Sequence, residues 1–507
     1  MTLRRGFAVA LAAVLTVSLP TFAQTPLVGP ADHQLLGTGA RMVILAPSLV
    51  PQIHGPRVIG ATPGYPFLFL IPATGRAPLT FTAFGLPPGL TLNKRSGIIS
   101  GAVVRAGHYD AEIRVASPYG KTQRILTIVA GPHDLAQTPP MGWSSEDAFG
   151  RTVDEVKIKA TADAMVNTGL AAHGYCYVNI DDSWQGTRDS RGNIRANGKF
   201  PNMQALARTI HSKGLKLGLY TSAGPKTCGG FLGSYEHEDI DAATYAAWGV
   251  DLLKYDWCNY KGAANRGTGS LQSPYAVMRT SLDKVRRDIV YSICQPGPGK
   301  PWDWSPSFGA NLWRAGGDAD DRWPALMSVF ESENGREADA GLGHWNDPGL
   351  LSVGYLNSGR ARLTKNEQIT QFSMWCLVGA PLIIGGDVTR LDSFTTALLT
   401  NDDAIDIDQD PLGHAAGRAA KDGNAEVWAR PLFDGTHAVG LVNIGDVPTS
   451  IAVYWSEIGI RGAQPVYDVW LHKNVGTLKR GYAVQVPPHA CALLIVGTPQ
   501  ESRKIFE

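Results

Sequence analysis

Between Ile53 and Ala130, apolar residues gather in short, partly alternating runs: PFLFLIPA, LTFTAFG, GIISGAV, HYDAEIRVAS and QRILTIVA. Turn residues separate the runs, a spacing that predicts a small antiparallel β-sandwich over 53–131. A proline-rich hinge, Gly131 to Pro140, follows, and the period then changes. Thr152-Val-Asp-Glu155 reads as a capping box that opens a helix from about Asp154 to Leu170. Strand YCYVNID, helix MQALARTIHSKG, strand LKLGLYTS, helix IDAATYAAWG, strand DLLKYDW, helix YAVMRTSLDKVRRD and strand IVYSICQ come next. They are followed by the short strand GHWNDP, helix NEQITQFSMWCLVG, strand LIIGGD and a helix near Phe394 to Leu399. Strands alternating with helices over this length predict a parallel α/β domain of (β/α)8 TIM-barrel size over 137–405. A doubly wound open sheet is the alternative, but no G-x-G-x-x-G follows the first strand. From about Asp406 the helical period is lost, and AEVWARPL, HAVGLVNIG, TSIAVYW, PVYDVWLH and CALLIVG predict a C-terminal antiparallel β-sandwich over 406–500.

At the start of the chain, Arg4 and Arg5 precede an apolar run from Phe7 to about Leu19 and a small-residue site ending at Ala23. Residues 1–23 therefore read as a secretory signal peptide, and 24–52 as a linker. The apolar run is too short for a mature membrane anchor, so an exported protein is expected, periplasmic or extracellular. The 507 residues carry a net charge of +1 with 18% charged side chains, which excludes an electrostatic footprint for nucleic acid or an anionic membrane. Six cysteines permit a few disulfides without making a disulfide scaffold, and no Cys/His spacing suggests zinc. Asp406-Ile-Asp-Gln-Asp410 is not a calcium loop, because proline occupies the sixth position where an EF-hand needs glycine.

Candidate chemistry gathers at the ends of the predicted barrel strands. In Asp251 to Tyr260, DLLKYDWCNY, a buried strand turns polar at its C-terminal end, where active sites of such barrels sit. Lys254 and Asp256 are two residues apart and so leave the same face. Asp181 and Asp182 close the second strand, Tyr220 the third and Gln295 the fifth. Arg314 and Asp318 belong to the next unit, and Trp345-Asn346-Asp347-Pro348 follows. Carboxylates, a lysine and tryptophans on one rim suit a sugar, bound by hydrogen bonds and by stacking on indole faces. Two carboxylates close together also permit glycosidic cleavage, one as nucleophile and the other as acid then base.

TPPMGW, IDDSW, KTCGGFLGS, DLLKYDWC, WRAGGD and WNDP, in that order from Thr138, resemble the motifs of glycoside hydrolase family 27, the α-galactosidase and α-N-acetylgalactosaminidase family. The stretch Gly85 to Gly101 resembles immunoglobulin-like modules found beside bacterial glycosidases. The first resemblance implies a barrel, a sandwich after it and anomer-retaining hydrolysis without metal or organic cofactor. By motif position, Asp256 matches the nucleophile, Asp318 the acid/base and Arg314 the arginine beside the anomeric carbon. Asp181 and Asp182 match the pair that holds O4 and O6, Lys254 the lysine bridging O3 and O4, and Trp143 and Tyr220 the pocket walls. Cys228 and Cys258 match a disulfide pair beside the pocket. Lys254 is expected to keep Asp256 ionised, and proximity and partial burial are expected to keep Asp318 protonated.

Three departures from the family pattern concern the sugar rather than the chemistry. Gln295 stands where many α-galactosidases have a glutamate contacting O2, and Gly349 where an aspartate edges the pocket. GWSSEDAF replaces the usual WNSWN version. The reading is a retaining exo-glycosidase acting on terminal α-galactose of oligosaccharides or polysaccharides. β-L-arabinopyranosidase and isomaltodextranase activities of the same family remain alternatives, as does a catalytically silent carbohydrate-binding protein. Cys176, Cys376 and Cys491 read as small core residues, and Cys294 as part of the pocket floor.

Overall fold

The computed structural model describes residues 41–260, 271–295, 299–318, 320–500 and 505. The expected signal peptide and the first part of the expected linker lie outside the described residues. Eight parallel strands form the central sheet: β1 (Met141–Ser144), β2 (Tyr177–Ile180), β3 (Lys216–Ser222), β4 (Leu252–Asp256), β5 (Val290–Cys294), β6 (Leu312–Arg314), β7 (Trp345–Asp347) and β8 (Leu382–Ile384). They pair in the order β7-β6-β5-β4-β3-β2-β1-β8. The ring closes just past β7, where Leu351 forms a parallel bridge to Ile384. This is the (β/α)8 barrel of the sequence pattern.

Its helices are α1 (Ser145–Phe149), α2 (Glu155–Asn167), α3 (Met203–His211), α4 (Glu238–Trp248), α5 (Ser273–Asp283), α6 (Trp323–Glu333), α7 (Lys365–Val378), α8 (Ser393–Leu399) and α9 (Asp402–Asp408). α2 is capped differently from expectation. Asp154 is its N-cap and accepts from the Lys157 amide at 2.8 Å, while Thr152 turns away and donates to the Phe149 carbonyl. Glu155 is then the first helical residue, too early to reach back as a capping partner. A reciprocal capping box does open α7, between Thr364 and Glu367. α7 is buried on nearly every side. The C-terminal sandwich covers its outer face, with Trp470 Nε1 donating to Ser373 and Thr370 to the His489 carbonyl. A helix covered on both faces keeps no polar stripe.

α9 extends helix beyond Asp406, so the predicted start of the sandwich falls inside a helix. The sandwich itself has a six-stranded antiparallel sheet and a facing pair, Thr449–Tyr454 with Gly481–Val486. Trp428, Val442, Trp470 and Leu493 from this domain belong to the same core as the barrel. The N-terminal module has a four-stranded and a three-stranded sheet around Ile99, Val115 and Ile128. It rests on the N-terminal ends of the barrel strands: the Thr62 amide donates to Asp288, two residues before β5. Part of the expected linker is a strap, for Arg41 is buried against Asp468 and the Val43 amide bonds the Trp470 carbonyl.

One buried ion pair holds the wall beside the second and third strands. Arg188 makes a two-pronged contact with Asp241, at 2.6 and 2.9 Å, and the Asp241 side chain is fully buried. Removing one member leaves the other charge buried and unmatched. Asp241→Ala is therefore expected to cost about 3–5 kcal/mol, read as a lower urea midpoint for loss of barrel tertiary signal. An unchanged midpoint would refute that weight.

Candidate active site

A cavity of about 540 Å³ opens at the C-terminal ends of the strands. Register places its floor. Tyr220 lies beside Lys254, Ser222 beside Asp256, and Asp256 beside Cys294. Asp181, Asp182, Tyr220, Cys228, Lys254, Asp256, Arg314 and Asp318 all line the cavity, as sequence expected, and so does Cys294.

The contacts form a connected set. Tyr220 donates its hydroxyl to Asp256 Oδ2 at 2.7 Å, and the Trp257 amide donates to Asp256 Oδ1 at 2.7 Å. Asp256 thus arrives oriented, by groups on its own and the neighbouring strand. Lys254 Nζ donates to Asp181 Oδ2 at 2.9 Å and lies over the Tyr220 ring at 5.2 Å. Asp182 turns outward, accepting from the Gly229 amide at 2.6 Å and so tying the second strand's loop to the third's. Cys228 and Cys258 are disulfide-bonded, which joins that third loop to the fourth beside Asp256. Arg314 reaches Asp318 at 2.9 Å and donates to the Gly317 carbonyl at 2.9 Å.

Four expectations need correction. Trp143 is fully buried, its indole donating to the Gly386 carbonyl at 2.7 Å, and it does not line the cavity. It lies inside β1, where all four residues are buried in packed protein. Trp184, Trp313 and Trp345 are equally buried, so indole stacking gives way to Tyr220 and Phe231 as the aromatic surface. Gln295 is buried one residue past β5 and stays out of the lining. Asp318 is not buried: its side chain is 89% exposed, because the Gly316-Gly317 turn carries it out over the mouth. Burial also outweighs Lys254 at Asp256, whose carboxyl is pushed above the usual range despite Lys254, Tyr220 and the Trp257 amide.

Glu146 and Asp147, which the sequence reading passed over, line the cavity from the start of α1. The signal was present in the replacement of WNSWN, where a glutamate and an aspartate take the places of tryptophan and asparagine. Burial, more than their neighbours, raises both carboxyls. Desolvation first and then Asp181 push Glu146 up to about 7, against Lys254. Desolvation pushes Asp147 up to about 6, again with Lys254 opposing and Asp181 adding. Six carboxylates thus share the cavity with three cations, Arg151, Lys254 and Arg314. Gly349 has a left-handed φ of 108°, and a Cβ there would lie 3.0 Å from Arg314 Nη2. A side chain at this position would press on the arginine that holds Asp318.

The raised carboxyls link stability to pH. Folded Glu146 holds its proton up to about 7, whereas an unfolded glutamate loses it near 4.5. The folded state therefore binds more protons between those values, and stability falls as pH rises through the folded value. Glu146→Gln, which is neutral throughout, is expected to raise the melting temperature at pH 8 and leave it unchanged at pH 4. An equal rise at both pH values would show that charge is not the cause.

An eight-stranded barrel with carboxylates gathered at the strand ends, followed by a sandwich sharing its core, defines a glycoside hydrolase. The chain belongs to the α-galactosidase A family, matching it over residues 138–410. Residues 422–496 match the α-galactosidase C-terminal β-sandwich domain and 46–131 an Ig domain. It is 42% identical over 365 residues to α-galactosidase 2 of Arabidopsis thaliana, covering 71% of this chain and 89% of that protein. A candidate α-galactosidase structure from Bacteroides fragilis superposes with a TM-score of 0.85 at 34% identity, covering 90% of this chain and 100% of that one. A family-27 β-L-arabinopyranosidase from Geobacillus stearothermophilus gives 0.65 at 26% identity, covering 73% and 98%.

Proposed function

We propose that the chain hydrolyses terminal α-D-galactosyl residues of oligosaccharides or polysaccharides with retention of anomeric configuration. The observation that carries this reading is the arrangement of Asp256 and Asp318 around one cavity, with Asp256 held by Tyr220 and Asp318 by Arg314. Asp256 attacks C1 to form a covalent galactosyl-enzyme while Asp318 gives a proton to the departing oxygen. Asp318 then takes a proton from water, which attacks the same carbon and releases Asp256 as its carboxylate. An exposed acid/base suits both halves, since leaving group and water each pass through the mouth. Lys254 and Asp181, already hydrogen-bonded to each other, present alternating donor and acceptor to the sugar's ring hydroxyls. Export through residues 1–23 is part of this proposal; among the described residues no helix is long and apolar enough to cross a membrane.

Galactose is favoured over L-arabinopyranose by the groups beside Asp181 and Asp182. Glu146 and Asp147 add carboxyls on that side, the side that Asp181 and Asp182 would offer to O6 in this reading, and a pentopyranose has no C6 to meet them. The test is hydrolysis of p-nitrophenyl α-D-galactopyranoside beside the β-L-arabinopyranoside and α-D-glucopyranoside. Galactoside turnover is expected to dominate by at least about tenfold, the worth of one or two lost hydrogen bonds. Faster turnover of the arabinopyranoside would overturn the substrate and leave the catalytic pair standing.

A further inference from the structure

Three metal-ligand side chains from distant parts of the sequence meet at the closed end of the barrel, away from the catalytic cavity. His54 belongs to the edge of the immunoglobulin-like module, beside the short strand Gln52–Ile53. His173 ends the turn Leu170–His173 that leads into β2, and Asp402 begins α9. Their ligand atoms all lie within 4.8 Å of one another. The Nδ1 atoms of both imidazoles converge on one oxygen, Asp402 Oδ1, at 3.0 Å from His54 and 2.7 Å from His173. The rings are stacked, 4.9 Å between centroids. We propose that His54, His173 and Asp402 bind a divalent transition metal of the zinc class, which fastens the module to the barrel.

Ligand chemistry and setting both support the site. Two neutral imidazoles and a carboxylate are a known three-ligand set for zinc, with water completing the tetrahedron. Bonds of about 2.0–2.1 Å place tetrahedral donors roughly 3.3 Å apart, so each imidazole nitrogen, now 3.0 or 2.7 Å from Asp402 Oδ1, need move from it by only a few tenths of an ångström. His54 also has the outer partner that metal-bound imidazoles use. Its Nε2 lies 2.6 Å from Thr74 Oγ1, which leaves Nδ1 free for the metal if Nε2 carries the proton. Asp402 is the most open of the three, with 30% of its side chain exposed, and gives access for the ion and its water. Arg124, whose charge also acts on Asp402, is paired with Asp406 at 3.8 Å. Spacing could not show this site, because more than a hundred residues separate each ligand from the next.

Hydrogen bonding alone offers a different account, in which both Nδ1 atoms carry protons and donate to Asp402. Cobalt(II) titration of the purified protein separates the two. The expected result is one equivalent bound, with the visible absorption of a four-coordinate site, and loss of that equivalent in His173→Gln and in Asp402→Asn. Zinc should raise the melting temperature of the wild type by a few degrees and of neither variant, by preferential binding to the folded state. Hydrolytic activity should persist in both variants and in EDTA, because the catalytic cavity lies at the other end of the strands. That persistence certifies folded variants. Failure of the wild type to bind cobalt or zinc overturns the proposal even if a variant does not fold. Binding that survives in both folded variants overturns it too, by moving the metal to other histidines.

Discussion

Asp256→Asn is expected to lower turnover of α-galactosides by at least about 10⁴-fold while galactose still binds. The amide keeps the shape, can still accept from the Trp257 amide and can donate to the Tyr220 hydroxyl in place of accepting from it, but it cannot attack C1. Galactose affinity by calorimetry and turnover by product release supply the two readings. A stereochemical product closes the argument: Asp256→Ala with azide should give the β-galactosyl azide, because azide replaces the enzyme's own nucleophile in a single inversion. Turnover near that of the wild type in Asp256→Asn would sink the assignment. The direction of the Asp256 shift adds a pH reading. Burial raises its carboxyl, so the acidic limb of the wild-type rate profile should fall above the ordinary aspartate value near 4.

Asp318→Ala should behave differently. Loss of the acid/base is expected to cost about 10²–10⁴-fold with unactivated oligosaccharides. Aryl galactosides with good leaving groups should lose much less in their first step, since departure then needs little protonation. Azide should restore deglycosylation and yield the α-galactosyl azide, opposite in configuration to the product of the Asp256 variant. The same anomer from both variants would mean that the two carboxylates do not divide the work as proposed. The 89% exposure of the Asp318 side chain makes this rescue accessible, because azide meets no wall at the mouth.

The barrel was legible because alternating strands and helices write two different periods, and β2 to β5 and α7 fell where those periods lay. β6 and α6 were not read: Leu312–Arg314 is three residues long, too short for a period, and α6 carries Pro324 inside its first turn. The capping signature misled at Thr152 because it is local, whereas Asp154 two residues later takes the N-cap by accepting from the Lys157 amide, and the Glu155 amide goes to the Lys199 carbonyl. At the site, motif positions placed Asp181, Lys254, Asp256 and Asp318 on one cavity, since a strand's register carries side-chain direction with it. Trp143 failed for the converse reason. Residue type suggested an aromatic wall, but its position inside β1 buries it, and the polar residues three and four places later form that wall instead. Burial of Asp318 could not be read from sequence, because it depends on where a glycine turn leaves the sheet.

The module's seat at the N-terminal ends of the barrel strands has an architectural consequence. Any partner bound to the outer face of the module, whether a scaffold or a resin, meets the barrel from behind. The catalytic mouth then faces away from the support, towards solvent and long polymer chains. Immobilisation through the module should therefore preserve access for bulky substrates better than attachment through lysines near the rim.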